Sequence, residues 1–343
     1  MAATSQHGQR PTLHFLETQR AVSSRQEPRP AFQHQELLPM PCFRRDSLQA
    51  PTWPCKPFTR AAPGQSRAFG FLAASSSALA VLALTIPDQL LEGVLPAPDY
   101  FGRFELLDSI YLRVAGATLI PSAAVEYCLM DAAANDRLGS ATYQRLMLGC
   151  AAKSAGFLAA FAQASEVWTP QLAALYPTMA ALSLAINLKV FSEANTQLAR
   201  QGKAAPSLGL GQLLPQNSAA WVYSAITLVF CGLAAACYTS TSLFLGTESA
   251  TALLLKHTWA PGLLLTAVAS LNLRDAADRG RLGASTFKRL NLGIAGLGAV
   301  YSVVFVACLV TKVTEVDSLS VSNLALALGV LSYCLYQWLY ATK

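Results

Sequence analysis

The sequence predicts an all-α integral membrane protein of eight transmembrane helices, arranged as a parallel tandem duplication of a four-helix unit. Three observations predict it: a shortage of charge, a series of eight apolar windows, and a nineteen-residue stretch that recurs with its polar residues in register. Of the 343 residues, 53% are hydrophobic and 13% charged, against about 25% charged in ordinary soluble domains. The net charge of +6 is concentrated at the start, where residues 1–69 hold nine Lys or Arg against four acids and leave sixteen against fifteen for the rest. The basic balance therefore belongs to the N-terminal segment and points neither to nucleic acid nor to acidic substrates.

Residues 1–66 are rich in Arg, Gln, Ser and Pro (Arg10, Arg20, Arg25, Arg29, Arg44, Arg45, Arg60) and show no sustained apolar face. They lack the short basic region followed by an apolar core that marks a secretory signal. An Arg-rich leader ahead of a membrane domain reads as a disordered transit peptide, and its length and the alanine-rich composition favour a chloroplast over a mitochondrion. Its four acids, Glu17, Glu27, Glu36 and Asp46, leave a disordered cytosolic tail as the competing reading.

A helix needs about 20 mostly apolar residues to cross the hydrocarbon core. The windows that qualify are 68–86, 107–130, 143–164 and 172–194, then 219–238, 250–273, 287–310 and 321–340. Between the fourth and fifth lies the longest interior connector, whose Arg200, Gly202, Lys203, Pro206, Gly209, Gly211 and Pro215 are linker chemistry. The domains expected are a first four-helix repeat at 67–196, a linker at 197–218 and a second repeat at 219–343. Connectors after even-numbered spans carry Arg137, Arg145, Arg200, Lys203, Arg274, Arg279, Arg281, Lys288 and Arg289. Those after odd-numbered spans carry chiefly acids, among them Asp88, Glu92, Asp99, Glu248, Glu315 and Asp317. By the positive-inside rule both termini then face the stroma or matrix. The expected place is an organelle membrane, a chloroplast envelope or thylakoid before a mitochondrial inner membrane.

Residues 131–149, DAAANDRLGSATYQRLMLG, align with 275–293, DAADRGRLGASTFKRLNLG, at an offset of 144, with eleven identities in nineteen positions. The matched Asp, Arg, Thr and Gly are residues that shared hydrophobic composition does not supply, and the same offset lays spans 1–4 over spans 5–8. An even number of spans per unit gives both copies the same orientation, a parallel repeat about the membrane normal.

The repeated stretch reads as a helix hairpin carrying a clamp. Asp131 and Asp275 end their helices, where negative charge opposes the helix dipole, so each is expected to pair with an arginine of its own loop: Arg137 or Arg145, and Arg281 or Arg289. Gly139 and Gly283 are expected to permit the turn, and Thr142 and Thr286 to cap the next helix. In makeup the loop is similar to the Asp/Arg loop between helices 2 and 3 of major facilitator transporters. The likeness spans a dozen residues, lacks that family's leading glycine and sits in a 4+4 rather than a 6+6 plan, so no family is assigned.

Ionisable groups inside membrane spans are costly and are functional candidates by default. Glu126 and Lys153 lie within reach of one another near the same membrane face and are expected to pair. Their counterparts 144 residues on are Ser270 and Leu297, so both charges are missing together. Lys256 and His257 stand near the start of the sixth span, and with Glu126 and Lys153 they are the candidates for a substrate or ion pathway between the two halves.

The six cysteines after the leader are scattered in apolar stretches with no CxxC pair, and only His257 follows the leader. Neither a metal site nor a cofactor is expected. Phosphate loops, dinucleotide fingerprints, nucleophile elbows and HExxH are absent, so the reading leans away from an enzyme. The function expected is transport or channelling of a small solute or ion. The alternative is a non-catalytic scaffold or assembly factor for a plastid membrane complex, with the repeated loop docking a partner. The expected partners are the lipid bilayer, a membrane protein or a second copy of the chain, and no nucleic acid.

Overall fold

The computed structural model describes residues 63–94, 106–163, 170–200, 215–239, 250–311 and 318–341. The leader up to residue 62 and the linker between 201 and 214 lie outside the described residues. Within them the chain is helical throughout: α1 (Pro63–Thr85), α2 (Pro87–Val94), α3 (Leu106–Ala117), α4 (Leu119–Ala134), α5 (Ala141–Gln163), α6 (Pro170–Arg200), α7 (Ser218–Thr239), α8 (Ala250–Asp278), α9 (Ser285–Val310) and α10 (Ser318–Tyr340). Four of these are long and apolar enough to cross a membrane, namely residues 64–85 of α1, all of α5, all of α7 and all of α9. Their outward faces carry bare apolar side chains such as Phe71, Leu228, Val303 and Val310, a surface suited to hydrocarbon rather than water.

One expected span is divided in two. The window 107–130 becomes α3 and α4, broken at Thr118, because Pro121 has no amide hydrogen and its ring crowds the carbonyl four residues back, at Ala117. The chain answers with tighter bonds: the Thr118 amide and its hydroxyl both donate to the Ala115 carbonyl, at 3.1 and 2.7 Å. The short helix α2, with Asp88 in its first turn, is an element that hydropathy does not reveal. At the start of α7, Asn217 Oδ1 accepts the Ala220 amide at 2.8 Å, a helix cap.

The packing is paired. α1 lies along α4 as α7 lies along α8, α5 along α6 as α9 along α10, and the halves meet where α5 rests on α8 and α9 on α4. Together α3 and α4 cover residues 106–134, and α8 covers 250–278, the same stretch displaced by 144.

The two hairpin turns are built alike. Arg137 N donates to Ala132 O and Arg281 N to Ala276 O, both at 2.8 Å, while Asp136 N and Gly280 N donate to Ala133 O and Ala277 O. These are the paired bonds of a Schellman helix end, with one residue in the left-handed region. That residue is Gly280 (φ 63°) in one turn and Asp136 (φ 53°) in the other. The conformational freedom assigned from sequence to Gly139 and Gly283 is thus needed three residues earlier. Nor do the threonines stand at the cap positions: Thr142 lies within α5 and Thr286 within α9, which Ala284 precedes with no side-chain cap.

The seam between the halves is close-packed through small residues. A methyl group added to Gly149 would stand 3.0 Å from both Leu265 and Val268, and one on Gly293 2.7 Å from Ala124 and 3.2 Å from Pro121. These contacts are the same contact twice, at 149 against 265 and 268, and at 293 against 121 and 124. A methyl on Gly262 would run into the Thr118 hydroxyl, and these two positions, 144 apart, are each other's counterparts. Backbones this close leave no opening at these crossings, and the space bordered by both halves lies elsewhere, between α1, α3 and α9 and beneath α8.

Candidate functional site

Two groups of polar residues are built into this frame. The first is the clamp of the repeated hairpins. Arg145 at the start of α5 reaches across the seam to Asp275, Nη1 to Oδ2 2.9 Å, and Arg289 of α9 reaches back to Asp131, Nη1 to Oδ2 3.3 Å. Each aspartate is therefore held by an arginine of the opposite hairpin, where the sequence suggested its own. The reason is geometric: in each hairpin the arginine lies a turn into the second helix, on the face that packs against the other half. Asp275 also meets Arg279 of its own helix at 3.0 Å. Arg137 and Arg281 are exposed and stand outside these ion pairs.

The two arms are unequal. Arg145 makes a true hydrogen bond, whereas Arg289 Nη1 lacks hydrogen-bond geometry and its guanidinium lies over the Tyr127 ring at 4.7 Å. Behind the clamp, the hydroxyls of Tyr143 and Thr286 bond across the seam at 2.9 Å. Sequence reading placed Thr286 but not this role, since nothing marks Tyr143 apart from other aromatic residues.

The second group is the Glu126–Lys153 pair. Lys153 Nζ donates to Glu126 Oε1 at 3.1 Å, and both side chains are almost wholly buried, at 6% and 2% exposure. Ser76 of α1 donates to the other carboxylate oxygen at 2.6 Å. A charge pair removed from water is favourable only when its remaining hydrogen-bonding sites are satisfied, and Ser76 supplies one such bond. Beside the pair, Ser154 donates to Ser183 of α6 at 2.9 Å, and Asn187 Nδ2 to the Ser183 carbonyl at 2.8 Å. The carbonyl oxygen of the Asn187 side chain is buried without a partner.

This polar floor borders a cavity of about 170 Å³ within the first half, roofed by α8. Its walls are apolar, from Leu72, Leu79, Leu112, Leu119, Phe157, Phe161 and Met179, with Leu254, Leu255 and Thr258 from α8. Lys256 and His257 do not line it. Lys256 is fully buried in α8, and the His257 ring lies against Tyr238 of α7, tilted by 32° with ring centroids 5.2 Å apart. Of the four residues singled out as one pathway, Glu126 and Lys153 line the cavity, whereas Lys256 and His257 stand on the helix that roofs it without lining it. No group of three or more metal-binding side chains gathers among the described residues. No protein-family model and no curated protein matches this chain.

Proposed function

We propose that this chain is an eight-span organelle membrane protein, a parallel duplication of a four-helix unit, that admits a small solute through its first half. The membrane setting rests on the four long apolar helices. α3 with α4, α6, α8 and α10 lie beside those four and complete the proposed eight. The duplication is supported by the offset of 144 that relates the repeated stretch, the two Schellman turns and the seam contacts. The chloroplast address and the stromal side of both termini remain readings of the leader and of the loop charges.

The observation that carries the solute reading is the Glu126–Lys153 pair bordering a cavity of about 170 Å³. Ionised groups within an apolar bundle are retained where they meet one another or a passing solute. Uptake and efflux of a panel of small solutes by liposomes bearing the full chain tests the reading, with the Glu126→Gln/Lys153→Met double variant beside it. Flux in the natural protein that the variant loses is the expected result. Absence of flux for every solute, from folded and inserted protein, would reject permeation.

A scaffold is the second reading, and the reciprocal clamp favours it. Two ion pairs and a seam of glycines hold the halves in one arrangement, as a docking platform for another membrane protein requires. Under that reading the exposed Arg137 and Arg281 flank the surface that a partner would meet.

A further inference from the structure

The second half contains the counterpart of the cavity, and it is filled. Lys153, Ser154, Phe157, Phe161 and Met179 line the first cavity, and Leu297, Gly298, Tyr301, Phe305 and Asn323, each 144 residues on, line a smaller one of about 30 Å³. Ala115 belongs to the first set and Trp259, its counterpart, to the second. The Trp259 indole is 3% exposed and meets the Tyr301 ring edge-on, centroids 5.9 Å apart at 84°. Its N–H donates to the Tyr301 hydroxyl. One copy thus satisfies its pocket with its own aromatic side chain, while the other has alanine there, a phenylalanine in place of the tyrosine, and open space.

We propose that the first cavity is a binding site for a neutral, ring-sized apolar molecule bearing one hydroxyl or carbonyl group. This rests on reading the first half as the solute-binding half. Size follows from volume, since an apolar cavity of about 150 Å³ holds benzene, and the indole ring occupies the equivalent space in the second copy. The polar head follows from Lys153. An ammonium has three N–H donors; among the described residues Lys153 uses one of them on Glu126, and the cavity is where an acceptor for the others can come from. Neutrality follows from Glu126. The pair carries no net charge, so a bound carboxylate would leave one uncompensated negative charge among leucine and phenylalanine, whereas a hydroxyl or carbonyl oxygen adds an acceptor without a charge.

The test uses 4-fluoroacetophenone, observed by fluorine NMR with the full chain in nanodiscs and with empty nanodiscs as the blank. The expected result is a saturable bound resonance in the natural protein. Lys153→Met should weaken it about tenfold, the loss of one charge-assisted hydrogen bond, and 4-fluorobenzoate should bind more weakly than the ketone by at least as much. Ala115→Trp, which copies the second half's own plug, should abolish the resonance. Trp259→Ala provides an independent arm and should create a second, ion-free site that takes up 4-fluoroethylbenzene. A cavity that holds only water gives no saturable resonance and overturns the assignment. So does ketone binding unchanged in folded Ala115→Trp, benzoate binding as tight as the ketone, or folded Trp259→Ala that takes up no hydrocarbon. Saturable binding without flux into liposomes would retain this site and remove permeation. Flux with no ketone binding would do the reverse.

Discussion

At the scale of single residues, the Glu126–Lys153 pair is the feature whose energetics can be judged most directly. Removing one member strands the other charge in an apolar interior, at a cost of about 3–5 kcal/mol, whereas replacing both with residues that fit is often near neutral. The second half supplies such a replacement, because Ser270 and Leu297 occupy the same positions and are both buried. Glu126→Ala and Lys153→Met alone should each lower unfolding stability in detergent by about that amount, and Glu126→Ser/Lys153→Leu by much less. Singles as mild as the double would show that the pair is not held as a unit. The two charges were legible because ionisable residues in apolar windows stand out, and their joint loss at the same offset pointed to pairing. Ser76, Ser154 and Asn187 were not, since small polar residues are common in membrane helices and only the fold brings Ser76 of α1 to the carboxylate and Ser183 of α6 to Ser154.

At the scale of elements, helix ends and helix crossings decide the geometry. The left-handed residue after α4 is Asp136, and its counterpart after α8 is Gly280. A side chain in that conformation costs about 1–2 kcal/mol. Asp136→Gly should therefore raise the unfolding temperature and Gly280→Ala lower it, each by an amount corresponding to about 1 kcal/mol. Equal and negligible shifts for both would remove the strain argument. At the seam, Gly262→Ala places its methyl group against Thr118, whose own backbone belongs to the break between α3 and α4. A loss of about 2–3 kcal/mol is expected from such overpacking, and Thr118→Gly in the same chain should recover most of it. Helix boundaries were close to those drawn from hydropathy for the fifth, seventh and eighth windows. The second window contains Pro121, but a proline that kinks a helix and one that divides it are the same letter until the carbonyl four residues back is known to lack its bond. Which helix each seam glycine approaches depends on the pairing of α5 with α8 and α9 with α4.

At the scale of the whole molecule, the two halves are joined by like contacts made twice. The clamp uses matching residues in both halves, with arms that differ in geometry. The aspartates and arginines were readable as a repeated constellation, but their exchange across the seam was not, because an arginine at the second helix of a hairpin reaches its own loop or its neighbour's with equal ease in sequence terms. Charge reversal separates the two arrangements. Asp275→Arg should weaken the association of the halves, measured as unfolding stability in detergent, and Arg145→Asp added to it should restore about 1 kcal/mol. Restoration by Arg281→Asp instead would return the pairing to a single hairpin.

The exchange also imposes an order on synthesis. Asp131 and Arg145 are made early and find their partners only with Asp275, 130 residues after Arg145, and with Arg289. Until α8 and α9 are made, Asp131 and Arg145 have no oppositely charged partner across the seam, and Gly149 lacks its neighbours Leu265 and Val268. The first half accordingly waits on the late hairpin to complete its seam.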